Sequence, residues 1–218
     1  MTWVRVCKDG LELNDGEGKV VRSLPKTGGA FPLAELLKDF QVPGNLVLAP
    51  NLTIRPNPSK SEPQKPQVNW VASPNYSYRN INEIDYIVLH QTVGDGIGAL
   101  NWLCNPVSGV SAHYLILKTG VIYQLVKDKD NAWHCGIINP ISIGIEHEAR
   151  HGDQLTRSQS EASAALCRYL MKTYNISKDH VTGHRFTDFG RKVVTQCPGY
   201  LFGDNTEQAL RQWVQVNL

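Results

Sequence analysis

Two histidines and one cysteine stand out in the 218-residue sequence, because each sits where a short apolar run gives way to a turn or loop. His90 closes the run DYIVLHQT, residues 85–92, so a buried, rigid element would deliver its imidazole to the edge where a loop begins. His184 follows a second short run in VTGHRF, and Cys197 lies in TQCPGY, where Pro198-Gly199 forces a turn that can present the thiol. Two imidazoles and a thiolate suit the borderline-soft zinc ion, and three protein donors leave a fourth position open, the mark of a catalytic rather than a structural site. A structural zinc would call for a close pair such as C-x-x-C, which the chain lacks. Cys197 with a histidine is also a candidate metal-free nucleophile, but a Pro-Gly turn does not supply the helix N-terminus that lowers a thiol pKa. Spacing alone does not join the three, since His90 and His184 are 94 residues apart.

The elements that must position them read as follows. DYIVLHQT is a continuous apolar run, the pattern of a strand buried on both faces. AHYLILK and VIYQLV flank Thr119-Gly120, a hairpin turn signal. SIGIEHE, residues 142–148, reads as a further strand. A helix is expected from about Ser158 to Tyr174, burying Ala162, Ala165, Leu166, Tyr169 and Leu170, with Thr156 and Gln159 as a capping box. A last helix, about Thr206 to Val216, presents Leu210, Trp213 and Val214. Strands interleaved with helices, one pair forming a hairpin, predict an α/β fold with a central mixed β-sheet flanked by helices.

Four prolines among polar residues in RPNPSKSEPQKPQ predict an extended linker over residues 55–68. Residues 1–54 would form a small N-terminal module, with a strand at Trp3 to Cys7, a helix opened by Pro32 that aligns Leu33, Leu36, Leu37 and Phe40, and a strand at Leu46 to Ala49. Residues 69–218 would form the main domain. The net charge of +2 is too mild for a nucleic-acid partner. No apolar run reaches membrane-spanning length, and the N-terminus lacks a signal-peptide pattern, so the expectation is a protein made in the cytosol without membrane insertion. Five cysteines without dense spacing do not form a disulfide framework.

From about Tyr86 to Trp213 the sequence resembles the type 2 N-acetylmuramoyl-L-alanine amidases, a family that includes phage endolysin amidases, a peptidoglycan-recycling amidase and the animal peptidoglycan recognition proteins. IVLHQT, SGVSAHYLI, the hairpin into YQLV, NAWHCG, SIGIEHE, the LTRSQ helix start, VTGHRF and TQCPG occur in the family's order. The resemblance implies a zinc enzyme acting on peptidoglycan as a monomer, with His90, His184 and Cys197 as metal ligands and Glu146 as general base. It also implies that His113 faces the metal, that His134 and Trp133 form the groove wall, and that Thr195 lies near the oxyanion. The segment between His184 and Cys197 is longer than in many relatives, which makes Lys192 a rival oxyanion donor. Cys135 reads as a buried thiol, and His147 and His151 as surface residues. With its N-terminal module the chain fits an endolysin that reaches the wall after holin-type release; a muropeptide-recycling amidase and a non-catalytic wall-binding protein are the alternatives.

Overall fold

The computed structural model describes residues 63–80, 83–187 and 194–218 in full, and five strand backbones before them. The chain divides into two compact units, Met1–Glu62 and Pro63–Leu218, the break falling inside the proline-rich stretch. In the first unit β1 (Trp3–Cys7), β2 (Gly10–Asn14) and β3 (Val20–Pro25) form an antiparallel sheet, and β4 (Phe31–Pro32) pairs with β5 (Thr53–Ile54). The helix expected beyond Pro32 and the strand expected at Leu46 to Ala49 lie outside the described residues.

The second unit begins with β6 (Asn69–Trp70), β7 (Tyr76–Tyr78) and β8 (Tyr86–Gln91), followed by helix α1 (Gly96–Leu103). Then come β9 (Tyr114–Ile116), β10 (Ile122–Gln124), β11 (Asp130–Ala132) and β12 (Ser142–His147). Helix α2 (Arg157–Tyr174), β13 (Val181–Gly183) and helix α3 (Glu207–Asn217) complete it. Six strands make one mixed sheet in the order β13-β8-β12-β9-β10-β6, with β13, β8, β12 and β9 parallel and β9-β10 the antiparallel hairpin. Gly120 takes the turn at φ +87°, a region open to glycine.

The β-branched runs become central strands because both sheet faces are covered. Ile87, Leu89, Ile143 and Ile145 point toward α2 and α3, where they meet Leu166, Leu170, Leu210 and Val214. Val88 packs on the opposite face with Cys135 and Ile138. Leu115, from the same sheet, meets Leu103 of α1. Each fully buried Ile or Leu removes enough apolar surface to contribute roughly 1.5–3 kcal/mol.

Helix α2 departs from its expected face. Thr156 caps it by accepting from Gln159 N at 3.1 Å, but the Gln159 side chain does not return to the cap. It is buried and donates instead to the carbonyls of Ile116 and Glu148, both at 3.0 Å, tying the helix to the sheet. The buried face therefore carries Gln159, Ser163, Ala164 and Cys167 along with Leu166 and Leu170, while Ala162, Ala165 and Tyr169 are only partly covered. The polar members are enclosed because each finds a hydrogen-bond partner there.

Candidate active site

Three neighbouring parallel strands bring distant residues to one sheet edge. Glu146 on β12 is the direct register partner of His90 on β8, and His184 follows β13 one residue beyond the Gly183–Leu89 pair. Cys197 reaches the same point from the turn after residue 194, where its Sγ accepts the backbone N–H of Gln91 at 3.3 Å. The donor atoms of His90, His184 and Cys197 all lie within 4.8 Å of one another. Cys197 Sγ is 3.6 Å from His90 Nδ1, and Glu146 Oε1 is 3.9 Å from the same nitrogen.

This donor set fits a metal ion. Bond lengths of about 2.0 Å to nitrogen and 2.3 Å to sulfur put adjacent tetrahedral N and S ligands roughly 3.5 Å apart, close to the 3.6 Å between His90 Nδ1 and Cys197 Sγ. Burial lowers the pKa of His90 and His184, and of His134 beside them, which favours the neutral form of all three imidazoles. Burial pushes the Cys197 thiol up, and the charge of Glu146 pushes it further. Glu146 Oε2 is buried without a hydrogen-bond partner. A thiol and a carboxyl held in their neutral forms by burial are what a cation placed among them would ionise. The same raised thiol argues against Cys197 as a metal-free nucleophile, which needs a lowered pKa.

Burial raises Glu146 from 4.5 to about 8. The folded, metal-free protein thus holds this proton more tightly than the unfolded chain, and its stability falls as pH rises from about 4.5 toward about 8. Metal-free Glu146→Gln, which cannot ionise, is expected to melt above the wild type at pH 8, the gap closing by pH 4. Calorimetry showing an equal gap at both pH values would contradict the burial assigned to this carboxyl.

The site opens into a cavity of about 470 Å³ whose walls include Trp102, Val110, Trp133, His134 and Thr195. Thr195 Oγ1 accepts the backbone N–H of Cys197 at 3.1 Å. Trp133 is held by its backbone N–H to Ser111 Oγ at 2.9 Å and is 37% exposed at the cavity. His134 lines the cavity, yet its Nδ1 meets His90 Nε2 at 3.0 Å and its Nε2 meets Ser142 Oγ at 3.2 Å.

Two expectations for histidines are corrected. His113 does not face the donors: it is fully buried, its Nδ1 accepts from Gly144 N at 3.0 Å and its Nε2 meets the Asp130 carbonyl at 3.1 Å. Both ring nitrogens are engaged in holding backbone. His147, expected at the surface, is also fully buried, between the His90 carbonyl at 2.9 Å and Ser163 Oγ at 2.9 Å. His151 is exposed, Cys135 is buried against Thr187 Oγ1, and Lys192 lies outside the described residues. Three contributors were not singled out from sequence. Arg79 donates to the carbonyls of Asn139, Pro140, Asp130 and Ser142, Ser142 contacts His134, and Gln91 meets Cys197 through its backbone. Arg79's partners are carbonyls 51 to 63 residues away and Gln91's is a sulfur 106 residues away, and no motif marks such contacts.

Comparison with known proteins bears on this geometry directly. The family model for N-acetylmuramoyl-L-alanine amidase matches residues 80–200, more than half of the chain and the whole span from His90 to Cys197. The chain belongs to this amidase family. Within the family it is 41% identical over 105 residues to N-acetylmuramoyl-L-alanine amidase A of Achromobacter lyticus, covering 47% of this chain and 59% of that protein. It is 38% identical over 102 residues to the 1,6-anhydro-N-acetylmuramyl-L-alanine amidase AmpD of Haemophilus influenzae, covering 43% of this chain and 54% of that one. The chain thus spans somewhat more than half the length of these curated relatives. In fold it is similar to the endolysin amidase LysCS of Clostridium intestinale, with a TM-score of 0.52 at 24% identity over 72% of this chain and 99% of that one.

Proposed function

We propose that the chain is a zinc-dependent hydrolase of the amide between N-acetylmuramic acid and L-alanine in peptidoglycan, with His90, His184 and Cys197 as ligands. The observation that carries this reading is the register that seats Glu146 beside the three donors at the cavity. The amidases to which the chain is similar point to the same bond. A bound zinc ion supplies Lewis acidity toward the carbonyl and brings the pKa of water down to about 7. Glu146, with one oxygen lacking any hydrogen-bond partner, takes a proton from the attacking water and hands it to the departing L-alanine nitrogen. Thr195 uses a lone pair on Cys197 N, so its O–H proton remains to meet the carbonyl oxygen as charge develops. Lys192 is the alternative donor. His113 is withdrawn from this role by its two backbone contacts. Trp133 and Trp102 offer aromatic faces to the glycan.

In this reading residues 1–54 anchor the enzyme to polymeric wall across the linker at 55–68, raising its local concentration there. The enzyme is made in the cytosol, acts as a monomer and reaches the wall when the membrane is breached, as an endolysin does. The similarity to AmpD favours a second reading, in which soluble anhydromuropeptides are the substrate.

The test is digestion of purified peptidoglycan by the full chain, with mass analysis of the products. Free stem peptides beginning with L-alanine should appear beside intact glycan, cease after zinc chelation and return on adding zinc. Cuts in the glycan or between stem residues, binding without cleavage, or activity that survives chelation would each reject the proposal. Parallel rates on sacculi and on soluble anhydromuropeptide separate the two substrate readings, with sacculi expected to be preferred.

A further inference from the structure

His134 sits in the cavity wall with no ring nitrogen to offer a ligand, and its contacts form a chain with a single permitted direction. The chain ends at the Ile138 carbonyl, which accepts only, so the Ser142 hydroxyl donates to it at 2.8 Å. Ser142 Oγ then accepts from His134 Nε2 at 3.2 Å, which places the His134 proton on Nε2 and leaves its Nδ1 as an acceptor. At 3.0 Å that acceptor faces His90 Nε2, which must carry the His90 proton. The remaining nitrogen of His90, Nδ1, therefore presents its lone pair to Cys197 Sγ at 3.6 Å, from which it accepts, and to Glu146 Oε1 at 3.9 Å.

We infer that His134, oriented by Ser142, is a positioning residue that locks His90 in its Nε2–H tautomer and so keeps Nδ1 ready to bind a metal ion. The consequence for metal rests on the zinc reading above, whereas the tautomer does not. An independent feature agrees with this. A Cβ at Gly144 would lie 2.5 Å from His134 Cγ and 2.7 Å from its Nδ1, so the imidazole is laid against bare strand backbone. Any side chain at position 144 would push the ring off His90. Gly144 N also donates to His113 Nδ1, which fixes the strand on which the ring rests. A ligand histidine that starts in the right tautomer avoids a proton shift on binding, and partners of this kind typically change metal affinity roughly 10- to 100-fold.

The experiment uses the full chain labelled with ¹⁵N-histidine and stripped of metal. Long-range ¹H–¹⁵N correlation reads the His90 tautomer, assigned by its loss in His90→Gln, and competition titration with Zn²⁺ reads affinity. Wild type should show His90 with its proton on Nε2. His134→Leu should show mixed His90 tautomers and bind Zn²⁺ roughly 10- to 100-fold more weakly. His134→Asn, whose Oδ1 falls where Nδ1 stood and can only accept, should restore both the tautomer and most of the affinity. A metal-free wild type with the proton on Nδ1 overturns the inference, as does His134→Leu with wild-type affinity or an Asn variant no better than Leu. Should the Leu variant not fold, the wild-type tautomer and the Asn affinity still decide. A wild type that holds the Nε2–H tautomer but takes up no Zn²⁺ keeps the lock and overturns the zinc reading.

Discussion

Glu146→Gln is expected to lower kcat/KM for the muramoyl-alanine amide by on the order of 10²–10⁴, the range typical of losing a general acid–base. Zinc content and melting behaviour at low pH should stay as in the wild type. The amide side chain keeps the shape and loses the ability to carry a proton from water to the leaving nitrogen. Because the carboxyl is the register partner of His90 and one of its oxygens has no other partner, little else in the structure depends on its charge. Single-turnover kinetics with the zinc-loaded variant checks this. An effect below about tenfold would remove Glu146 from the role of base.

The largest loss of stability is expected from Arg79→Met. The guanidinium donates to Asp130 O and Ser142 O at 3.0 Å, to Asn139 O at 3.1 Å, and to Pro140 O. It thereby joins β11, the turn after it and the start of β12 into one rigid piece. Methionine fills a similar volume but takes this donor from Pro140 O and Ser142 O, whereas Asn139 O keeps the Ser142 N–H and Asp130 O keeps His113 Nε2. At roughly 1–3 kcal/mol for each polar group left unpaired, a total loss of at least about 2 kcal/mol follows for these two carbonyls. For a chain of this size that corresponds to a fall in Tm on the order of 4–8 °C. Arg79→Lys should not rescue, because one ammonium cannot reproduce a planar fork reaching several carbonyls. Thermal melts of the three proteins decide the matter. Since the stapled piece carries Trp133 and His134, Arg79→Met should also lose activity well below its melting temperature.

Several parts of this architecture were readable from residues because burial on two faces leaves a plain signature. The run at 85–92 holds the unbroken apolar stretch from Tyr86 to Leu89, the one at 142–148 alternates around Ile143 and Ile145, and both became central parallel strands. Thr119-Gly120 marked its hairpin by the same logic of backbone conformation. Helix α1 was not anticipated, since Gly96 and Gly98 depress helix propensity over its first turn. The reason for Gly96 is tertiary, as a Cβ there would lie 2.3 Å from Leu117 Cδ2.

In the site, resemblance brought His90, His184, Cys197 and Glu146 forward together, and the sheet register explains why residues so far apart in sequence meet. The misassigned histidines share a cause. Imidazole in a strand can point to a cavity or lock into backbone, and sequence pattern does not separate the two. His113 and His147 satisfy both ring nitrogens internally, and that is visible only when Gly144 N, Asp130 O, His90 O and Ser163 Oγ are placed around them.

The pairing of β13, β8 and β12 also says what is adjustable in this protein. Interstrand distance is a property of peptide hydrogen bonds, roughly 4.8 Å in any sheet, so the spacing of His90 and Glu146, register partners on β8 and β12, is insulated from what is strung between those strands. The excursion from residue 93 to 111, which carries Trp102, leaves and re-enters the sheet without contributing a donor to the group of His90, His184 and Cys197. Exchanging that excursion for a longer or differently decorated one would rebuild a wall of the cavity while leaving His90 and Glu146 on their strands.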